Sequence, residues 1–276
     1  MSRIAQCFAD LKSRNRKAVI PYIVAGDPSV EVTVELMCTL VASGADILEL
    51  GVPFSDPMSE GPVIQKGHER ALERGMRLRG VLDVMTEFRK RDSKTPVLLM
   101  GYANPVEHMG HAAFADRAMA SGVDALLTVD IPPEEVGGLN QELRRVGMDN
   151  IFLIAPTTPA ERMDLIAAEA SGFIYYVSLK GVTGAGNLDR EAVARAVTEI
   201  RKHTALPICV GFGIKDGPSA AAVAAVSDGV VIGSALVQRL ADVAAAGGDD
   251  AAVLAAARDM LTDIREHVDH PVSNAA

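Results

Sequence analysis

The chain predicts an α/β fold, a closed (β/α)8 barrel, on three observations. Eight short, β-branched and nearly uninterrupted apolar runs recur along its 276 residues. Each is followed by a segment of helical periodicity. The runs are apolar on both faces, which is the pattern of a parallel sheet covered by helices. Strand–helix alternation through eight units, without a topological pause, reads as one barrel domain over 1–276. An open doubly wound sheet is the runner-up. The last few residues, 271–276, are expected to fray.

The elements follow in order. Residues 2–14 form an amphipathic helix with Ile4, Cys7, Phe8 and Leu11 on one face. The first strand covers 18–25. Asp27-Pro28 suits a helix start, proline being tolerated in a first turn, and that helix ends at Gly44. The second strand is 46–50. Helices at 62–74 and 80–92 follow, the first stopped by Gly75, and one of them is additional to the eightfold plan, as is the N-terminal helix. The third strand is 96–102, with a loop at Asn104-Pro105 and a helix over 111–120. The fourth is 124–130, and Pro132-Pro133 opens a helix to about 145. The fifth is 150–156. Thr158-Pro159-Ala160-Glu161 has the form of a capping box and begins a helix to about 170. The sixth strand, 173–179, leads into the glycine-rich KGVTGAGNL and a helix over 189–203. The seventh is 207–213, with a helix over 216–226, and the eighth is 229–235. An alanine-rich helical end from 236 breaks at Gly247-Gly248.

Composition narrows the function. Apolar residues make up 49% of the chain, enough for a large core, and the formal net charge is −9 with both signs interspersed. That balance argues against nucleic acid or an anionic membrane as partner. An anionic substrate would have to be held by local backbone donors. Cys7, Cys38 and Cys209 show neither disulfide nor metal spacing, and Cys38 and Cys209 read as core residues. No H-x-H, H-E-x-x-H or C-x-x-C occurs, so no metal is expected. No predicted strand holds a histidine or a Schiff-base lysine, Lys180 lying just beyond the sixth strand. His68, His203, His267 and His270 read as surface helix or tail positions, and His108 and His111 as loop. The chain shows no signal-peptide pattern and no apolar run of membrane-spanning length, so the cytoplasm is the expected location.

In a (β/α)8 barrel the C-terminal ends of the strands share one mouth, where chemistry is placed. Here those ends carry Tyr22, Glu49, Met100 with Tyr102, Leu127 with Val129, Ala155, Tyr175 with Val177, Gly211 to Gly213, and Ile232 to Ser234. This set suits a flat apolar substrate with a few polar handles. Strand periodicity puts Leu48 and Leu50 on one face and Ile47 and Glu49 on the other; if the leucines face the helices, Glu49 faces the interior. The structural alternative is a glutamate paired with lysine or arginine, but the neighbouring strands offer no cation. Desolvation would raise its pKa, as a proton shuttle near neutral pH requires. VTGAG after the sixth strand, GFG after the seventh and GS after the eighth place three small-residue turns on one rim, a setting for a phosphate. The loops after the second and sixth strands are the longest at the mouth, and either could close over a substrate.

These residues resemble a known family, the α chain of tryptophan synthase, over almost the whole chain. The resemblance rests on PYIVAGDP (21–28), LELGVPFSDP (48–57), GPVIQ (61–65), MGYANP (100–105), DIPPEE (130–135), GVTGA (181–185), GFGI (211–214) and GSALV (233–237). It implies a TIM barrel that cleaves indole-3-glycerol phosphate to indole and glyceraldehyde 3-phosphate by a retro-aldol step. It implies no cofactor on this chain, pyridoxal phosphate (PLP) belonging to a partner β chain in an α2β2 heterotetramer. Glu49 aligns with the acid–base glutamate. Glu60 stands where the family usually has aspartate, with Asp56 as the alternative second carboxylate. Tyr175 matches an active-site tyrosine, and Thr183 a loop-closing contact to the second carboxylate. Gly184, Gly213, Gly233 and Ser234 match phosphate-binding positions. Tyr22, Met100, Leu127 and Phe212 are assigned to the indole pocket, Tyr22 standing where phenylalanine is commoner. Leu179-Lys180 also departs from the usual Arg-Ala. A chain that mainly activates a β chain, and a free-standing lyase, are the alternative readings.

Overall fold

A computed structural model describes residues 2–177, 190–211 and 213–270. Helix α1 (Arg3–Ser13) precedes β1 (Ala18–Val24), α2 (Thr33–Ala42), β2 (Leu48–Gly51), α3 (Pro62–Glu73), α4 (Leu78–Arg89) and β3 (Val97–Gly101). Next come α5 (Ala103–Met109), α6 (His111–Ala120), β4 (Ala125–Thr128), α7 (Gly137–Val146), β5 (Asp149–Asn150), β6 (Phe152–Ile154) and α8 (Ala160–Glu169). The chain continues with β7 (Ile174–Val177), α9 (Arg190–Ile200), β8 (Ile208–Gly211), α10 (Gly217–Ala224), β9 (Gly229–Ile232), α11 (Ser234–Ala245) and α12 (Asp250–Asp269).

The strands pair in parallel in the order β5-β4-β3-β2-β1-β9-β8-β7-β6. The two ends of that order, β5 and β6, are consecutive pieces of one stave. Ile151 joins them, its N–H donating to the Leu126 carbonyl at 2.9 Å. The sheet therefore closes with eight staves, as the alternation predicts, and an open sheet is excluded.

Period two sorts the side chains into two cores. Ile20, Ile47, Leu98, Leu127, Ile151, Phe173, Cys209 and Val231 fill the barrel interior. Helix α1 seals its lower end with Ile4, Phe8 and Leu11, Phe8 lying 5.9 Å from Phe173 between ring centroids. The opposite faces, among them Leu48 and Leu50, pack against the helices. At the strands' N-terminal ends an acid or hydroxyl before one strand caps an N–H of the strand before it in sequence. Asp46 accepts from Val19 at 2.9 Å, Asp124 from Val97 at 2.8 Å, Asp228 from Ile208 at 2.9 Å, and Ser171 from Asn150 at 2.9 Å. Arginines complete three of these caps: Arg265 on Asp46, Arg89 and Arg3 on Asp124, and Arg201 on Asp228.

Four local expectations change. Helix α2 starts at Thr33, not at Asp27-Pro28. The Asp27 carboxylate is buried and accepts two hydrogen bonds from Arg70 of α3, at 2.7 and 2.8 Å, so it is committed to a tertiary pair rather than a helix cap. The Asn104-Pro105 loop is helix α5; Pro105 falls in its first turn, where a missing N–H is no loss. His108 lies within it, and His111 opens α6. Helix α7 begins at Gly137, after the prolines. The Thr158 capping box does not form, because Thr158 Oγ1 accepts instead from the Ala155 N–H at 3.0 Å. A capping box does form at Asp216 and Ser219. No helix among the described residues is long and apolar enough to cross a membrane.

Candidate active site

The mouth at the C-terminal ends of the strands holds a cavity of about 370 Å³. Glu49 stands at its base. Strand β2 is paired on both sides, Glu49 opposite Tyr22 of β1 and Leu98 of β3, which fixes its side chain inward. The residue is 1% exposed, and neither carboxylate oxygen has a hydrogen-bond partner among the described residues. Burial first, and the Glu60 charge second, together raise its pKa to about 8. A carboxyl so placed is held as a neutral acid at pH 7.

Glu60 lines the same cavity from the loop after β2, just before Gly61, the N-cap of α3. Burial raises its pKa to about 7. Several contacts hold its loop. The Ser59 N–H donates to Tyr102 Oη at 3.1 Å, Gln65 Nε2 donates to the Glu60 carbonyl at 2.9 Å, and Phe54 stacks on Tyr102 with ring centroids 5.2 Å apart. Asp56 instead accepts from Ser55 Oγ at 2.6 Å on the exposed side of the loop. The second carboxylate in the cavity is thus Glu60, not Asp56.

Two tyrosines, on staves three apart in the barrel, wall the cavity by the same device. Tyr22 of β1 lies over Gly51 of β2, and Tyr175 of β7 lies over Gly211 of β8; a Cβ on either glycine would collide with the phenol. Burial holds both hydroxyls well above their usual pKa, and the charges of Glu49 and Glu60 add to the shift. Met100, Val129, Ala155 and Val177 supply apolar lining. Leu127 sits one layer deeper, fully buried in the interior core, and Val129 takes the lining place two residues on. Gly213, Gly233 and Ser234 line the remaining side. Gly213 has φ +76°, where a side chain would be strained, and the N-terminus of the 12-residue α11 opens into the cavity at Gly233 and Ser234. That end presents unpaired backbone donors to an anion. Phe212, Thr183 and Gly184, with Leu179-Lys180, lie outside the described residues.

One residue escaped the sequence reading. His68, expected on a helix surface, is 1% exposed. Its Nε2 lies 3.2 Å from Tyr22 Oη, and its Nδ1 accepts from the Phe54 N–H at 3.1 Å. The available signal was Gly67. A Cβ there would press on Asp27, Val24 and Val237, so α3 seats closely on β1 and α11 and carries its neighbour inward.

Comparison with known proteins agrees with this architecture. The family profile described as tryptophan synthase alpha chain matches residues 8–267. The tryptophan synthase alpha chain of Thiobacillus denitrificans is 54% identical over 269 residues, 98% of this chain and 97% of that protein. That of Nitrosococcus oceani is 57% identical over 240 residues, 87% of this chain and 89% of that protein. Among solved structures, tryptophan synthase subunit alpha from Legionella pneumophila superposes with a TM-score of 0.91 at 43% identity, covering 98% of this chain and 99% of that one. Tryptophan synthase from M. tuberculosis in an aminoacrylate-bound form matches with a TM-score of 0.85 at 32% identity, covering 97% and 100%.

Proposed function

Because the chain belongs to the tryptophan synthase alpha chain family, we propose that it is the lyase subunit of tryptophan biosynthesis. In this reading it cleaves indole-3-glycerol phosphate to indole and glyceraldehyde 3-phosphate. The observation that carries the reading is the pair of carboxylates, buried Glu49 and half-buried Glu60, in one largely apolar cavity, with pKa values raised to about 8 and about 7.

The chemistry follows from that pair. Indole C3 must gain a proton, the adjacent side-chain hydroxyl must lose one, and the ring N–H must be polarised as charge develops. Glu49, neutral at pH 7, delivers its proton to C3 and as a carboxylate then takes the hydroxyl proton as the carbon–carbon bond breaks. Glu60 accepts a hydrogen bond from the ring N–H. Its extra methylene relative to aspartate adds about 1.5 Å of reach, within a loop held by Tyr102 and Gln65. Tyr22, Met100, Val129 and Tyr175 flank the flat ring, and Gly213, Gly233 and Ser234 hold the phosphate through backbone N–H groups and a hydroxyl.

The remaining parts of the reading come from the family. Acid–base groups suffice for the chain's own step, with PLP on a partner β chain in an α2β2 assembly, in the cytoplasm. Gly184 would join the phosphate site and Thr183 would close on Glu60. The test is indole release from indole-3-glycerol phosphate by the purified chain, with and without a β chain. Slow release that rises sharply with β supports the subunit reading. Fast release indifferent to β indicates a free-standing lyase, and no release in either case overturns the catalytic assignment. Glu49→Gln is expected to abolish release while leaving the fold intact.

A further inference from the structure

His68 touches two groups whose polarities differ. The Phe54 amide can only donate, so the nitrogen facing it, Nδ1 at 3.1 Å, must carry a lone pair. A neutral imidazole then has its proton on Nε2, and that N–H points at Tyr22 Oη, 3.2 Å away. The other tautomer and the imidazolium would both set two donors against each other at Phe54. Burial also lowers the pKa of His68 to about 4, which keeps the ring neutral. Tyr22 Oη is therefore the acceptor in this contact, and its own O–H remains to be donated. Tyr22 lines the cavity together with Glu60 and Glu49, and its hydroxyl lies over the side-chain-free Gly51. Among the described residues His68 is its hydrogen-bond partner.

We propose that Phe54 N–H, His68 and Tyr22 form a polarity relay: the loop amide sets the His68 tautomer, and His68 in turn leaves the Tyr22 O–H as a donor offered to the acceptor groups of the bound substrate and the carboxylate pair. His68 is then a positioning residue acting through Tyr22. The substrate part of this inference rests on the lyase reading above; the tautomer part does not. It also gives a physical use to a tyrosine at position 22, where a phenylalanine ring would supply the same apolar wall without a donor.

The test has two arms. Nitrogen-15 NMR of the imidazole in the intact chain reads the tautomer directly between pH 6 and 9. A protonated Nε2 with an unprotonated Nδ1 is expected; a protonated Nδ1 overturns the relay whether or not the chain releases indole. The second arm compares kcat/KM for indole release, with the β chain present. Tyr22→Phe is expected to lower it about five- to tenfold, the worth of one hydrogen bond. His68→Asn, which can still accept from Phe54 but no longer reaches Tyr22, should match that loss. His68→Gln, which restores a donor at the Nε2 position, should recover part of it. The Tyr22→Phe/His68→Asn double variant should lose no more than either single one. A Tyr22→Phe enzyme within twofold of wild type, or losses that multiply in the double variant, would overturn the relay. An inactive wild-type chain would instead count against the lyase reading, and the NMR arm would still decide the tautomer.

Discussion

Replacing Glu49 by glutamine should change how stability depends on pH, and the size of the effect follows from the geometry. The carboxyl is 1% exposed, lacks hydrogen-bond partners among the described residues, and has its pKa raised from 4.5 to about 8. A carboxyl whose folded pKa exceeds its unfolded value binds more protons folded than unfolded between the two. This group's contribution to stability is therefore fully present below pH 4.5 and falls as pH rises towards about 8, beyond which it is lost. Each pH unit in that window costs about 1.4 kcal/mol. The loss is then roughly 3 kcal/mol at pH 7 and roughly 5 kcal/mol above pH 8. Glutamine has the same shape and no charge, so Glu49→Gln should remove this slope. Urea unfolding of both proteins from pH 5 to 9 checks it. At a slope of about 3 kcal/mol/M, the variant's midpoint at pH 7 should lie about 1 M above that of the wild type. The gap should shrink to a few tenths of a molar at pH 5. Curves that stay parallel across the range would refute the buried, unpartnered placement of Glu49.

Four further outcomes are expected. Indole release should show a bell-shaped pH dependence, falling below about pH 7 as Glu60 takes up a proton and above about pH 8 as Glu49 loses one; the limbs belong to the coupled pair, and a flat rate from pH 5 to 9 would separate both groups from the rate. Glu60→Gln should cut kcat about 10²- to 10⁴-fold with an unchanged circular-dichroism spectrum; near-normal turnover would remove Glu60 from the mechanism. Gly51→Ala drives a methyl group into the Tyr22 hydroxyl and should cost about 1–3 kcal/mol in denaturant unfolding, recovered in part by adding Tyr22→Ala. Asp124→Ala strips a cap from the Val97 N–H and partners from Arg89 and Arg3, bonded at 2.8, 2.7 and 2.7 Å, and should cost about 3–5 kcal/mol; a loss below 1 kcal/mol would show the cluster to be solvated.

The parts of this protein legible in its sequence are those written in local patterns. Apolar runs alternating with amphipathic helices determined the closed barrel, and the alternation within LEL put Glu49 on the face opposite Leu48 and Leu50. Glycine turns after the seventh and eighth strands marked Gly213, Gly233 and Ser234. Where local pattern competes with a distant partner, the sequence misleads. Asp27 looks like a helix cap and is taken by Arg70; Thr158 looks like a capping residue and is taken by the Ala155 amide. His68 lies on a helix too polar to mark as buried, yet Gly67 lets that helix settle against β1 and turns the imidazole to Phe54 and Tyr22. The family resemblance already favoured Glu60 over Asp56, and the loop's anchors on Tyr102 and Gln65 support that choice. Periodicity records which face of an element is buried. It does not record which polar group meets which across the closed barrel, because those pairings join residues brought together only when the staves close.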